Sequence, residues 1–116
     1  MHNFKNLKIW NKGIEMVNII YEISKDLPDF EKFGLRSQMT RCAVSILSNI
    51  AEGSCKSSNK FFKTFLEYSL GSAFELETQL IIAHKQEYLS DKQFEDINNE
   101  INELQKMIAS FSRNLS

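Results

Sequence analysis

Two histidines, two cysteines and a row of short hydroxyl and amide side chains are the residues of this 116-residue chain best suited to chemistry. A di-metal carboxylate centre in a helical protein draws a Glu from each of two helices and a Glu-x-x-His pair from each of two others. Only His2 and His84 are available, and neither follows a glutamate by three residues. A structural zinc site needs Cys or His pairs at ligand spacing, which the sequence lacks. Cys42 and Cys55 stand thirteen residues apart; along a helix that is about 20 Å, beyond disulfide reach. Reduced, packing cysteines in a cytoplasmic protein are the expectation. Nucleophilic catalysis requires Ser or Cys beside a base, and no histidine lies within a turn of Ser45 or Ser48. A glycine-rich phosphate loop is also missing, so the chain reads as a non-enzyme with no cofactor and no metal.

The polar residues that remain fall on one segment, Arg41-Cys42-Ala43-Val44-Ser45-Ile46-Leu47-Ser48-Asn49-Ile50-Ala51-Glu52-Gly53. At 100° per residue, Leu35, Met39, Cys42, Ala43, Ile46 and Ile50 share one arc, and Arg41, Ser45, Ser48, Asn49 and Glu52 another. Short Ser and Asn side chains compete with helical backbone bonds, so a line of them inside a helix implies partners on a neighbouring helix. Glu75 and Gln79 on the third helix are the candidate partners for Arg41 or Asn49. Arg41, Ser45, Asn49, Glu52, Glu75 and Gln79 thus form an expected interhelix seam, either fixing register or lining a pocket or central channel.

A net charge of −1 conceals an asymmetry. Residues 1–63 carry ten Lys and Arg against six Asp and Glu, and residues 64–116 four against nine. Lys5, Lys8 and Lys12 near the start, and Lys56, Lys60 and Lys63 beside Phe61 and Phe62, offer a phosphate surface whose binding would be salt-sensitive. They serve equally as solvated surface lysines.

The elements that must carry these groups are helical. With 42% apolar residues, four Gly and one Pro, the chain predicts a single domain over 1–116 with no room for a second core. The start has no signal-peptide core, and no apolar run is long enough to span a bilayer. Helix 1 is expected from Leu7 to Leu27, with two stripes: Leu7, Trp10, Ile14, Val17 and Tyr21, and beside it Ile9, Met16, Ile20, Ile23 and Leu27. Phe30 and Phe33, in the following connection, are placed to close the bundle end. Helix 2 runs from Leu35 to Gly53, with Gly53 in the left-handed position that often ends helices. Ser58 caps helix 3, Asn59 to Gln86, whose seam is Phe62, Leu66, Ser69, Ala73, Leu76, Leu80 and Ala83. Gly71 either admits another backbone or is merely tolerated at about 1 kcal/mol relative to Ala. Ser90-Asp91-Lys92-Gln93 is a capping box. It opens helix 4, with Phe94, Ile97, Ile101, Leu104, Ile108, Phe111 and Leu115 on its single apolar face.

Four amphipathic segments with short connections predict an all-α, antiparallel up-down-up-down four-helix bundle. Helices 1 and 3 have apolar surface to spare, which a soluble monomer would avoid exposing. A closed homo-oligomer follows, with Ile9, Met16, Ile20, Leu70, Phe74 and Ile81 at its interface.

Leu7-Lys8-Ile9-Trp10, Ile20-Tyr21, Phe33-Gly34-Leu35, Gln38, Arg41 to Ile46, Ser48 to Gly53, Phe65-Leu66 and Gly71 to Leu80 together resemble the four-helix-bundle proteins of the 23S rRNA intervening-sequence family. That resemblance implies a ring-like homopentamer, similar in fold to the accessory protein of diversity-generating retroelements, which partners a reverse transcriptase and binds nucleic acid. The family's name records reading frames within insertions in 23S ribosomal RNA genes, without fixing a role on ribosomes. Thr40 stands where the family usually has a second arginine, and Leu47 where it has a proline; helix 2 should be straighter for the loss of the proline. The expected function is an RNA- or DNA-associated accessory protein presenting Arg36, Arg41, Lys56, Lys60 and Lys63 to phosphate. The competing class is a ring-shaped protein-interaction scaffold in which charge is incidental.

Overall fold

A computed structural model describes residues 2–116, which form four helices: α1 (Lys8–Ser24), α2 (Leu35–Ser54), α3 (Asn59–Lys85) and α4 (Asp91–Arg113). Short 3-10 turns at Phe4–Asn6 and Asp29–Glu31 precede α1 and α2, and no strand occurs among the described residues. Each helix packs on its chain neighbours and α1 also packs on α4, so the four surround one core.

Local chemistry sets the helix ends. Leu27 precedes Pro28, which disfavours helical backbone there; α1 stops at Ser24, whose hydroxyl donates to the Tyr21 carbonyl at 2.8 Å. The start of α2 is capped from outside: Glu31 Oε1 accepts the Leu35 N–H at 3.1 Å, while Glu31 Oε2 accepts the Tyr88 hydroxyl at 3.3 Å. The carboxylate thereby ties the α1–α2 connection to the α3–α4 connection. Gln93 Nε2 adds a second tie by donating to Asp26 Oδ2 at 2.7 Å. Ser58 caps α3 and Ser90 with Gln93 forms the capping box of α4.

The α3 seam is buried throughout, from Phe62 to Ala83, and α4 buries Ile97, Ile101, Leu104, Ile108 and, just past its end, Leu115. Leu35, Met39, Ala43, Ile46 and Ile50 face them from α2. Leu47 is buried too, pressed so closely on Gly13 of α1 that a Cβ there would overlap it. On α1 the stripe that fills the core is Ile9, Met16, Ile20, Ile23 and, beyond the helix, Leu27. Ile9, Met16 and Ile20 are therefore core residues and are not free to form an interface. The spare surface on α1 comes from Ile14, Ile19 and Tyr21.

Two more expectations are corrected. Gly53 does not end α2 in a left-handed turn, because the helix continues through it to Ser54 and no described glycine has positive φ. Its lack of a side chain serves close approach: a Cβ would lie 2.7 Å from Phe65 Cβ and 2.9 Å from Phe62 Cδ1 on α3. Phe30 and Phe33 do not close the bundle end. They are 78% and 89% exposed, Phe30 meeting only the edge of Tyr88 at 6.3 Å between ring centroids.

Candidate functional site

Among the described residues no three His, Cys, Asp or Glu side chains are grouped to hold a metal ion. His84 Nε2 lies 2.7 Å from Asp91 Oδ1, and its ring stacks flat on Phe94 at 4.4 Å, so it braces the end of α3 against the start of α4. His2 packs on Phe62 and Phe111. A cleft of about 770 Å³ between the start of α1 and the end of α4 has Leu7, Ile9, Met107 and Phe111 in its walls, with Lys8, Glu103, Lys106 and Ser110 at its polar edge.

The polar seam lies between α2 and α3 with a different set of pairs from those the spacing suggested. Ser45 and Ser72 hydroxyls meet at 2.8 Å, and Asn49 Nδ2 donates back to the Ser45 carbonyl at 2.9 Å. Buried Ser69 donates to the Ile46 carbonyl at 2.8 Å. Cys42 takes the position expected of Arg41: its thiol donates to Glu75 Oε2 at 3.5 Å and accepts from Gln79 Nε2 at 3.3 Å. Burial pushes this thiol above its ordinary value, Gln79 pulls it back, and the Glu75 carboxylate raises it further. Arg41 and Glu52 are exposed and have no partner across the seam among the described residues. Cys42 was legible only as the apolar member of its arc, since a thiol donates and accepts weakly.

Arg41 instead faces α1. Where α1 turns into α2, a cleft of about 410 Å³ is lined by Lys25, Lys32, Arg36 and Arg41, with Tyr21 and Phe33 among them and no carboxylate. Their existing pairings are weak. Arg36 reaches Asp29 only at 3.9 Å, and Lys25 holds Glu22 at 3.3 Å on the open surface, where such pairs contribute little. Lys32 Nζ sits 5.4 Å from the centroid of the Phe33 ring. A second cleft of about 440 Å³ shares Tyr21, Thr40 and Arg41 and continues past Val44, Ser45 and Ser48. Four cations thus line the cleft while their acid partners, Glu22 and Asp29, stay outside its wall, an arrangement that favours an anion there.

The five expected phosphate contacts do not form one surface. Arg36 lies in the first turn of the 20-residue α2 and Lys56 just past its end, about 30 Å away. Lys56 sits over the Phe65 ring at 4.7 Å, and Lys60 and Lys63 share a shallow cleft with Glu67 and Ser116. Sequence reasoning missed Lys25 and Lys32. The signal was their position flanking the connection that carries Arg36, which a hairpin folds back on Arg41.

Leu70 of the expected interface packs half-buried against the core. Phe74, 55% exposed, and Ile81 face outward on one side of α3; Tyr68, also exposed, lies about 120° round the helix from Phe74.

A family profile described as 23S rRNA-intervening sequence protein matches residues 5–110. Among solved structures, a protein with unknown function from the S23 ribosomal protein family of Bacteroides thetaiotaomicron VPI-5482, determined at 1.70 Å, superposes with a TM-score of 0.84. It is 30% identical, over 91% of this chain and 99% of that one. No curated protein matches the chain. No described helix is long and apolar enough to cross a membrane.

Proposed function

The chain belongs to the 23S rRNA-intervening sequence protein family, and from that premise we propose that it is a non-enzymatic, cytoplasmic, nucleic-acid-associated accessory protein. The observation that carries the reading is the cleft at the α1–α2 turn, where Lys25, Lys32, Arg36 and Arg41 converge with no acid between them. Its cations accept phosphate, and the remaining basic residues, Lys56, Lys60 and Lys63, give a weaker second contact at the other end of α2. The likeness in fold to the accessory protein of diversity-generating retroelements is part of the same proposal.

The working form is a single up-down-up-down domain assembled as a ring-like homo-oligomer, a pentamer by the family resemblance. Support comes from the apolar side chains α3 leaves exposed, Phe74, Ile81 and Ile82 with Tyr68 further round the helix, more apolar surface than one helix of a monomer usually leaves wet. The same exposed side chains favour the second reading, a scaffold that recruits a protein partner without touching nucleic acid.

Fluorescence anisotropy of a labelled structured RNA decides between them. Release of counterions by four cations gives a slope of log affinity against log salt of about −3 to −4. Absence of binding at low salt, or binding indifferent to salt, removes the nucleic-acid function and leaves the scaffold. Light scattering gives the subunit number; a single subunit at micromolar concentration removes the ring.

A further inference from the structure

We infer that the α1–α2 cleft selects single-stranded over double-stranded nucleic acid, with Phe33 and Tyr21 as stacking platforms for unpaired bases. The inference rests on the nucleic-acid reading above and specifies its ligand. Phosphate contacts alone would need only the cations, yet two aromatic rings stand in the same cleft, Phe33 89% and Tyr21 49% exposed. Neither belongs to the core cluster or to the half-buried residues packed on it. The Phe33 ring has one neighbour of note, the Lys32 ammonium at 5.4 Å.

Cations alternating with accessible rings are what a single strand needs, since ammonium and guanidinium groups follow the backbone while bases stack on the aromatic faces. A duplex keeps its bases stacked on one another, so it would gain the phosphate contacts and forgo the rings. The clefts also fit a strand in shape. They join through Tyr21, Thr40 and Arg41 and carry their cations at the Phe33 end, while Val44, Ser45 and Ser48 line the uncharged continuation. From Arg36 to Ser48 the floor along α2 is about 18 Å long. A strand would enter at the charged end and lie along the neutral groove.

The test uses the full chain and four labelled probes of one 12-nucleotide sequence: single-stranded RNA, single-stranded DNA and the two corresponding duplexes. Both single strands are expected to bind, because stacking reads a π-face common to RNA and DNA, and to bind at least about tenfold tighter than the duplexes. Phe33→Ala, at a position too exposed to unfold the protein, should weaken single-strand binding about tenfold and leave duplex binding and the salt slope unchanged. Tyr21→Ala should act in the same direction. Equal affinity for single strands and duplexes, or equal weakening of both by Phe33→Ala, overturns the inference while phosphate binding stands. Failure of all four probes to bind at low salt instead overturns the proposed function itself.

Discussion

Replacing either of two helical glycines by alanine changes the backbone in the same way, and the surroundings give the two substitutions opposite outcomes. Gly71 lies in the middle of α3 with nothing within 4 Å of the position an added Cβ would take. Only helix propensity changes, so Gly71→Ala should stabilise by about 1 kcal/mol. For 116 residues at roughly 2 cal/mol/K each, that is a rise of about 4 °C in Tm. Gly53→Ala gains the same propensity but sets its Cβ 2.7 Å from Phe65 Cβ, an atom one bond from the α3 backbone that no side-chain rotation can withdraw. Overpacking of this kind costs about 1 to 3 kcal/mol, leaving a net loss of up to about 2 kcal/mol. Urea unfolding followed by circular dichroism measures both. Shifts of the same sign would refute the argument from space. A loss on Gly71→Ala alone, deepening as protein concentration rises, would mean that a second copy occupies the open side of α3.

Glu87 has φ 64° at the residue following the cap of α3, where the Tyr88 N–H bonds the Ala83 carbonyl and the Glu87 N–H that of His84. Glycine suits this left-handed position, so Glu87→Gly should raise stability by about 1 kcal/mol in the same urea assay. Stability should also fall on the alkaline side. Lys12 is raised above 10.5 chiefly by its hydrogen bond with Glu100, Cys42 above 9.0 by burial, and Tyr88 above 10.0 by burial and then Glu31. The folded state holds each proton more tightly than the unfolded chain. The associated stability is therefore complete below pH 9 and lost as pH rises through the raised folded values. Melting curves from pH 7.5 to 11 should show that decline, beginning later in Cys42→Ala; a flat or rising profile would contradict it. An aromatic disulfide reagent should label exposed Cys55 well before Cys42, whose thiol is half-buried and held by Glu75 and Gln79; equal rates would contradict the seam geometry.

How far the sequence could be read depended on how many faces each helix left apolar. On α4 only one face is apolar, and on α3 one unbroken seam, so period alone identified their buried residues. The Ser90 and Gln93 box announced itself by spacing. On α1 two adjacent stripes compete, and period cannot say which one faces inward; Ile9, Met16 and Ile20 went to the interface for that reason. The basic cleft was hidden because Lys25 and Arg41 are sixteen residues apart and meet only when the connection folds back. Phe30 and Phe33 looked like a plug because aromatic residues in connections often are one. Their exposure follows from Glu31, which spends its two oxygens on Leu35 and Tyr88 and fixes the turn with the rings outside.

That carboxylate makes the two chain reversals at this end one mechanical unit. A strand tugging on Phe33 would load the short segment through Glu31 and pass the displacement to Tyr88, on the opposite pair of rods. Amide exchange around Tyr88 would then report occupancy of a groove it never touches, and Glu31→Gln would loosen that transmission while leaving every cation in place.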